Sequence, residues 1–150
     1  MQTRAIIFDF FGVICSNPAP SWFLRHFPAD EAKRLQESYC SLSDSGAVSE
    51  KEWFTNLGSL VAKTGAEVRD EFTRSLEIND EVVRFMKKLK PSYKLGLCSN
   101  TMGTYLRPIL QQYALTELFD VLIISNECGL VKPDPRIFRL ALKKLSVRSE

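Results

Sequence analysis

Hydrophobic and polar positions alternate between two regimes along the chain. Ala5 to Phe8 is a short, unbroken, partly β-branched apolar run, the pattern of a strand buried on both faces. Lys94 to Cys98 and Val121 to Ile124 repeat it. Between the first run and the other two, the segment from Ser16 to Leu76 carries no strong strand signal and reads as helices, Ala29 to Leu42 among them. Ser49-Glu50-Lys51-Glu52 has the form of a capping box, and Trp53, Phe54, Leu57, Leu60 and Val61 follow it at helical spacing, which predicts a packed helix face. From Asn79 onward strand and helix alternate. Asp80 is the expected cap of a helix whose apolar face is Val82, Val83, Phe85, Met86 and Leu89. A further helix is expected from about Thr104 to Gln112, with Pro108 tolerable only near its start. Asp134-Pro135 opens the last, with Ile137, Phe138, Leu140, Ala141 and Leu145 as its apolar stripe. Such alternation implies a parallel sheet.

Composition narrows this little. The 150 residues suffice for one domain with a core, and the 45% hydrophobic and 11% aromatic content is that of a globular protein. A net charge of +2 gives no argument for nucleic acid or an anionic membrane. Lys87-Lys88-Leu89-Lys90 fits the solvated C-terminal end of a helix. No apolar stretch approaches the ~20 residues of a membrane span, and the N-terminus does not resemble a signal peptide. Cys15, Cys40, Cys98 and Cys128 form no CxxC pair, so a reduced, cytoplasmic protein is expected, with Cys98 a small core residue. His26, among aromatics in Phe23-Leu24-Arg25-His26-Phe27, is expected to pack rather than to catalyse.

The candidate chemistry lies where the strands end. Asp9 closes the first run, Ser99-Asn100-Thr101 the second, and Lys132 follows the third in Gly129-Leu130-Val131-Lys132-Pro133-Asp134-Pro135. Open α/β sheets bind ligands beyond the C-terminal ends of their strands. A carboxylate there can attack phosphorus or carbon. Gly12 lets backbone N–H groups approach a ligand. The hydroxyl of Ser99 and the amides around Asn100 can hold phosphate oxygens, and the Lys132 ammonium can neutralise developing charge.

In this order the clusters resemble the haloacid dehalogenase superfamily of hydrolases. Asp9-Phe10-Phe11-Gly12-Val13 matches its first motif, Leu97-Cys98-Ser99-Asn100-Thr101 its second and Lys132-Pro133-Asp134-Pro135 its third. The helical stretch, with Gly46-Ala47-Val48-Ser49-Glu50, resembles the cap inserted after the first motif. The resemblance covers essentially the whole chain. It implies a three-layer, Rossmann-like parallel sheet formed by residues 1–15 and 77–150, with residues 16–76 as a helical cap, and C-terminally incomplete. It further implies that Asp9 is the nucleophile of an aspartyl intermediate, that Ser99, Asn100, Gly12 and Thr101 bind the phosphoryl group, and that Lys132 steadies the charge. Magnesium in phosphatase members is held by the nucleophile, by the carbonyl two residues later, here that of Phe11, and by acids of a fourth motif.

Two departures from the family pattern bear on function. Phosphatase members usually place a second Asp at the Phe11 position, where it protonates the leaving group; phenylalanine cannot. Haloacid dehalogenases carry an aromatic residue there, because halide leaves unprotonated, and use a cap arginine for which Arg25 and Arg34 are the candidates. The acids of the fourth motif would be expected soon after Glu150, and without them the magnesium site keeps too few oxygens. The expected function is a hydrolase of small phosphorylated metabolites, impaired in the chain as given. A 2-haloacid dehalogenase-like hydrolase and a non-catalytic binding domain or truncated product are the alternatives. The expected partner is a small-molecule substrate. Self-association through an exposed edge of the first strand is also expected, unless the final helix covers that edge.

Overall fold

The computed structural model describes residues 4–147. The three apolar runs form the strands β1 (Ala5–Phe8), β2 (Lys94–Ser99) and β3 (Val121–Ile124) of one parallel sheet in the order β1-β2-β3. Ile6 lies opposite Leu95 and Phe8 opposite Leu97, while Leu97 lies opposite Leu122 and Ser99 opposite Ile124. Strand β2 runs one residue further than expected, so that Ser99 is its last member.

Between β1 and β2 come α1 (Pro18–His26), α2 (Ala29–Ser45), α3 (Glu50–Leu60), α4 (Gly65–Arg74) and α5 (Asp80–Leu89). Then follow α6 (Gly103–Gln112), a single 3₁₀ turn at Thr116–Leu118, the one-turn α7 (Ser125–Cys128) after β3, and α8 (Pro135–Leu145). The Ser49–Glu52 capping box forms as predicted, and Thr64 with Glu67 makes a second one at the start of α4. Asp134 caps α8, with Pro135 in its first turn. Three expectations are corrected. Helix α2 continues one turn beyond Leu42, to a stop at Gly46, whose φ of +75° suits glycine. The cap of α5 is Asn79, whose side chain accepts from the Val82 amide, and Asp80 is already helical. Pro108 sits inside α6 rather than near its start. There Pro108 and Thr104 both lie on the exposed side, so water can satisfy the carbonyl that proline leaves without a donor. Leu106, Ile109 and Leu110, all buried, hold the helix in place regardless.

The sheet is buried on both faces because its side chains alternate. Ile6, Phe8, Leu95, Leu97, Leu122 and Ile124 pack into one cluster with Met86 of α5 and Leu106 and Leu110 of α6. Ile7, Cys98 and Ile123 pack on the other face against Ile137 and Ala141 of α8. Gly96 lets α8 come close: a Cβ there would stand 3.1 Å from Leu145 Cδ1. This gives three layers. Helix α8 packs on β2 and β3, and β1 is the edge strand of the described sheet.

The helical segment is tied to the sheet by two adjacent crossings. Ser16 N–H donates to the Glu77 carbonyl at 2.8 Å, Ser16 Oγ to the Ser75 carbonyl at 2.9 Å, and Asn79 N–H to the Ile14 carbonyl at 2.9 Å. Trp22, Phe23, Phe54, Leu57 and Phe72 fill its interior, continuous with the sheet cluster. His26 packs as expected, 4.7 Å from the Trp22 ring. Lys87 and Lys88 occupy the last turn of α5 as expected, and Cys98 is buried. The four cysteines are free thiols. Among the described residues no helix is long and apolar enough to cross a membrane.

Candidate active site

Strands β1 and β2 end at one cavity of about 330 Å³, between the sheet edge and the helical segment, and the chain after β3 reaches it through Lys132. Asp9, Ser99, Asn100, Thr101 and Lys132 line it, so the three sequence clusters converge. Asp9 follows β1 directly. Its Oδ1 accepts from the Phe10 amide at 2.8 Å, and its Oδ2 lies 2.7 Å from Lys132 Nζ. The carboxylate is thus oriented by one backbone donor and one cation while its side chain stays 41% exposed to the cavity mouth.

Ser99 is 1% exposed, and its Oγ is a buried polar atom with no hydrogen-bond partner among the described residues. Buried hydroxyls are rarely left unpaired, because the desolvation cost is not recovered. Here the orphan lies in the wall of a cavity that already holds a carboxylate–ammonium pair. Thr101 is fixed by the other loop: its amide donates to Ser125 Oγ at 3.0 Å, and the Ser125 hydroxyl donates to its carbonyl at 3.3 Å.

Two expected ligand-binding residues have other work. The Asn100 side chain is occupied with the backbone of Lys132: its Nδ2 donates to the Lys132 carbonyl at 3.1 Å, and its Oδ1 accepts from the Lys132 amide at 2.8 Å. It positions the lysine and leaves only its backbone for a ligand. Gly12 has a φ of +82°, as the turn requires, but its amide donates to the Cys15 carbonyl at 2.7 Å and is spent on that turn. Neither candidate cap arginine reaches the cavity. Arg25 is exposed, and Arg34, 77% exposed, lies 4.0 Å from Glu31.

Phe11 lines the cavity, stacked near-parallel on Tyr105 with ring centroids 6.3 Å apart. Burial pushes the Tyr105 phenol up to about 12, so it stays protonated. The sequence reading missed what α2 contributes. Gln36, Cys40, Ser43 and Asp44 line the cavity from one face of that helix. Their spacing of i, i+4, i+7 and i+8 was the available signal. Burial pushes the Cys40 thiol up to about 12, which keeps it un-ionised and a poor nucleophile.

A divalent ion would find the Asp9 carboxylate and the Phe11 carbonyl. Among the described residues no group of three or more His, Cys, Asp or Glu is gathered to hold one. Magnesium needs near-octahedral oxygen ligation, so these residues do not by themselves fit it, and no step below passes through a metal.

Residues 3–150 match the family of haloacid dehalogenase-like hydrolases, and the chain belongs to that family. The family enzyme bt-2542 of Bacteroides thetaiotaomicron, solved in complex with magnesium and inorganic phosphate, superposes with a TM-score of 0.77 at 18% identity, over 97% of this chain and 80% of that one. The L-2-haloacid dehalogenase of Xanthobacter autotrophicus with chloropropionic acid covalently bound gives 0.67 at 17% identity, over 98% and 66%. Identities this low establish a shared fold. The pyrimidine 5'-nucleotidase YjjG of Escherichia coli (strain K12) is 31% identical over 62 residues, 41% of this chain and 28% of its own length. The chain spans less than half the length of the curated relatives it matches.

Proposed function

We propose that this member of the haloacid dehalogenase-like hydrolases is a phosphatase of small phosphorylated metabolites that works through an aspartyl intermediate on Asp9. The observation that carries the reading is the unpartnered, buried hydroxyl of Ser99 in the same cavity as the Asp9–Lys132 pair. A phosphoryl oxygen is the acceptor that hydroxyl lacks. Lys132, held by Asn100, neutralises charge both on the nucleophile and on the transferring group. In this reading residues 16–76 act as the cap over the site, and the cavity admits a small substrate. The free thiols agree with a cytoplasmic setting.

Release of inorganic phosphate from a panel of small monoesters tests the proposal. Turnover abolished by Asp9→Asn supports it. Turnover that survives Asp9→Asn overturns the nucleophile assignment.

A second reading, hydrolysis of a small 2-halo acid, draws on Phe11, since halide needs no proton from that position. Neither Arg25 nor Arg34 is among the residues that line the cavity, which counts against it. Halide release from 2-chloropropionate without phosphate release would favour it.

A further inference from the structure

The phosphatase reading leaves one chemical gap, because the alkoxide of a phosphate monoester needs a proton and Phe11 has none to give. The cavity contains a carboxyl group besides the nucleophile, and α2 supplies it. Asp44 lies in the last turn of α2, which ends at Gly46. The end of α2 is seated on α7, where a Cβ on Gly46 would stand 3.4 Å from the Asn126 carbonyl, and Asp44 lines the cavity beside Ser43. Lys132 Nζ pairs with Asp9 at 2.7 Å, and among the described residues Asp44 makes no salt bridge.

We propose that Asp44 is the acid that protonates the leaving group, and then the base that activates water, in place of the aspartate that Phe11 replaces. The inference rests on the phosphatase reading. In the first step an Asp9 oxygen bonds to phosphorus, the phosphorus–oxygen bond to the leaving group breaks, and the departing alkoxide takes the Asp44 proton. This yields the alcohol, aspartyl phosphate and an Asp44 carboxylate. In the second step Asp44 takes a proton from water as the water oxygen bonds to phosphorus. The acyl-phosphate bond breaks, hydrogen phosphate leaves, and both carboxyl groups return to their starting forms.

The local electrostatics suit this role. Burial raises the Asp44 carboxyl from its ordinary 3.8 to about 6, against the Ser43 hydroxyl and Lys132, which lower it, and with Asp9, which raises it. The C-terminal end of a helix also disfavours a negative charge. Charged groups on the neighbouring elements are engaged elsewhere or exposed. Glu127 of α7 is bound to Arg107, Glu50 of α3 to Arg69 and Glu52 of α3 to Ser49. Lys51 of α3 and Arg25 of α1 are exposed, and His26 of α1 lies beside Glu71. Cys40, on the same face of α2, is un-ionised. Of the proton donors in the cavity, Tyr105 and Cys40 sit near 12, while Asp44 sits where both of its forms are populated close to neutral pH. General acids work best in that range.

Two esters separate this role from a structural one. An alkyl phosphate must have its leaving group protonated, whereas p-nitrophenyl phosphate releases a phenolate that needs no proton. Asp44→Asn is expected to lower kcat on the alkyl ester by about 100- to 10,000-fold, the usual worth of a general acid. On the aryl ester it should keep the first-turnover burst of nitrophenolate, which needs no acid, and lose steady-state rate, because the second step still lacks its base. Asp44→Glu should recover part of the alkyl rate. In the wild type, alkyl-ester turnover should decline above about pH 6, and Asp44→Asn should remove that decline. Loss of the nitrophenolate burst together with the alkyl rate, or no loss on either ester, would overturn the assignment while leaving the phosphatase reading intact. Failure of the wild type to release phosphate from either ester would overturn both. Thermal unfolding gives a readout free of turnover. Asp44→Asn should be more stable than wild type above about pH 6, where the wild type must ionise a buried carboxyl, and the gain should shrink toward pH 4. A gain independent of pH would also refute the assignment.

Discussion

Replacing Ser99 by alanine should make the protein more stable and less able to bind phosphate. Ser99 is 1% exposed, and its hydroxyl has no partner among the described residues. A buried hydroxyl without a hydrogen bond costs about 1–3 kcal/mol. Removing the oxygen gives up only a few dispersion contacts, each about 0.1–0.2 kcal/mol. The balance favours Ser99→Ala by about 1–2 kcal/mol, or a rise of about 2–8 °C in Tm for a chain of this size. Unfolding must be followed in a phosphate-free buffer, because phosphate supplies the missing partner. Added phosphate then stabilises the wild type by mass action, by about 1.4 kcal/mol at ten times its Kd, and should stabilise the variant less. A Ser99→Ala protein less stable than wild type in phosphate-free buffer would mean that the hydroxyl is already satisfied. Equal phosphate stabilisation of the two proteins would mean that the ligand is held elsewhere. Either result would remove the main support for the phosphatase reading.

Asn100→Ala deletes both hydrogen bonds to the Lys132 backbone and should cost about 1–3 kcal/mol, a Tm loss of several degrees, with Lys132 no longer held against Asp9; an unchanged Tm would show that the pair does not form in solution. The Lys63 ammonium, with help from the Trp22 indole N–H and against partial burial, holds the Glu71 carboxyl below its ordinary 4.5. Its contribution is therefore complete above that value and is lost as pH falls through the lowered folded value. Glu71→Gln should cost about 1 kcal/mol at neutral pH and flatten the acid limb of a stability–pH curve, and an unaltered limb would refute the assignment. The edge of β1 should support concentration-dependent self-association, because α8 packs on β2 and β3, and Ile6, Ile7 and Phe8 carry no charge between them. Strong hydrogen-exchange protection of all the Ile6–Phe8 amides in a dilute monomer would show instead that the edge is covered.

The strands and the residues at their ends were legible in the sequence because a doubly buried parallel strand leaves little choice of composition. Ala5–Phe8 and Val121–Ile124 have no polar member, and the first polar residue after each marks the edge of the core. Boundaries set by competition between similar neighbours were less legible. Asn79 and Asp80 can both cap a helix, and what separates them is which side chain reaches the Val82 amide. Pro108 argued for an early position in α6, yet three buried aliphatic side chains outweigh the roughly 3 kcal/mol that an interior proline costs.

The roles of polar side chains were the least legible, because composition does not say where a hydrogen bond goes. Asn100 looked like a ligand-binding residue from its place at a strand end, and it is engaged with the Lys132 backbone 32 positions away. Gly12 looked like an opening for a ligand, and the same positive φ turns its amide into the Cys15 contact. Asp44 lies beyond the helix expected to end at Leu42, and the sequence gives it no role. Its position matters because α2 runs on past Leu42 and stops beside α7 at Gly46, whose φ of +75° suits glycine. Strand-end chemistry is thus encoded locally in the motifs. The partner that could complete it comes from a helix whose reach is fixed only by packing, so the Phe11 position cannot be judged from the first motif alone.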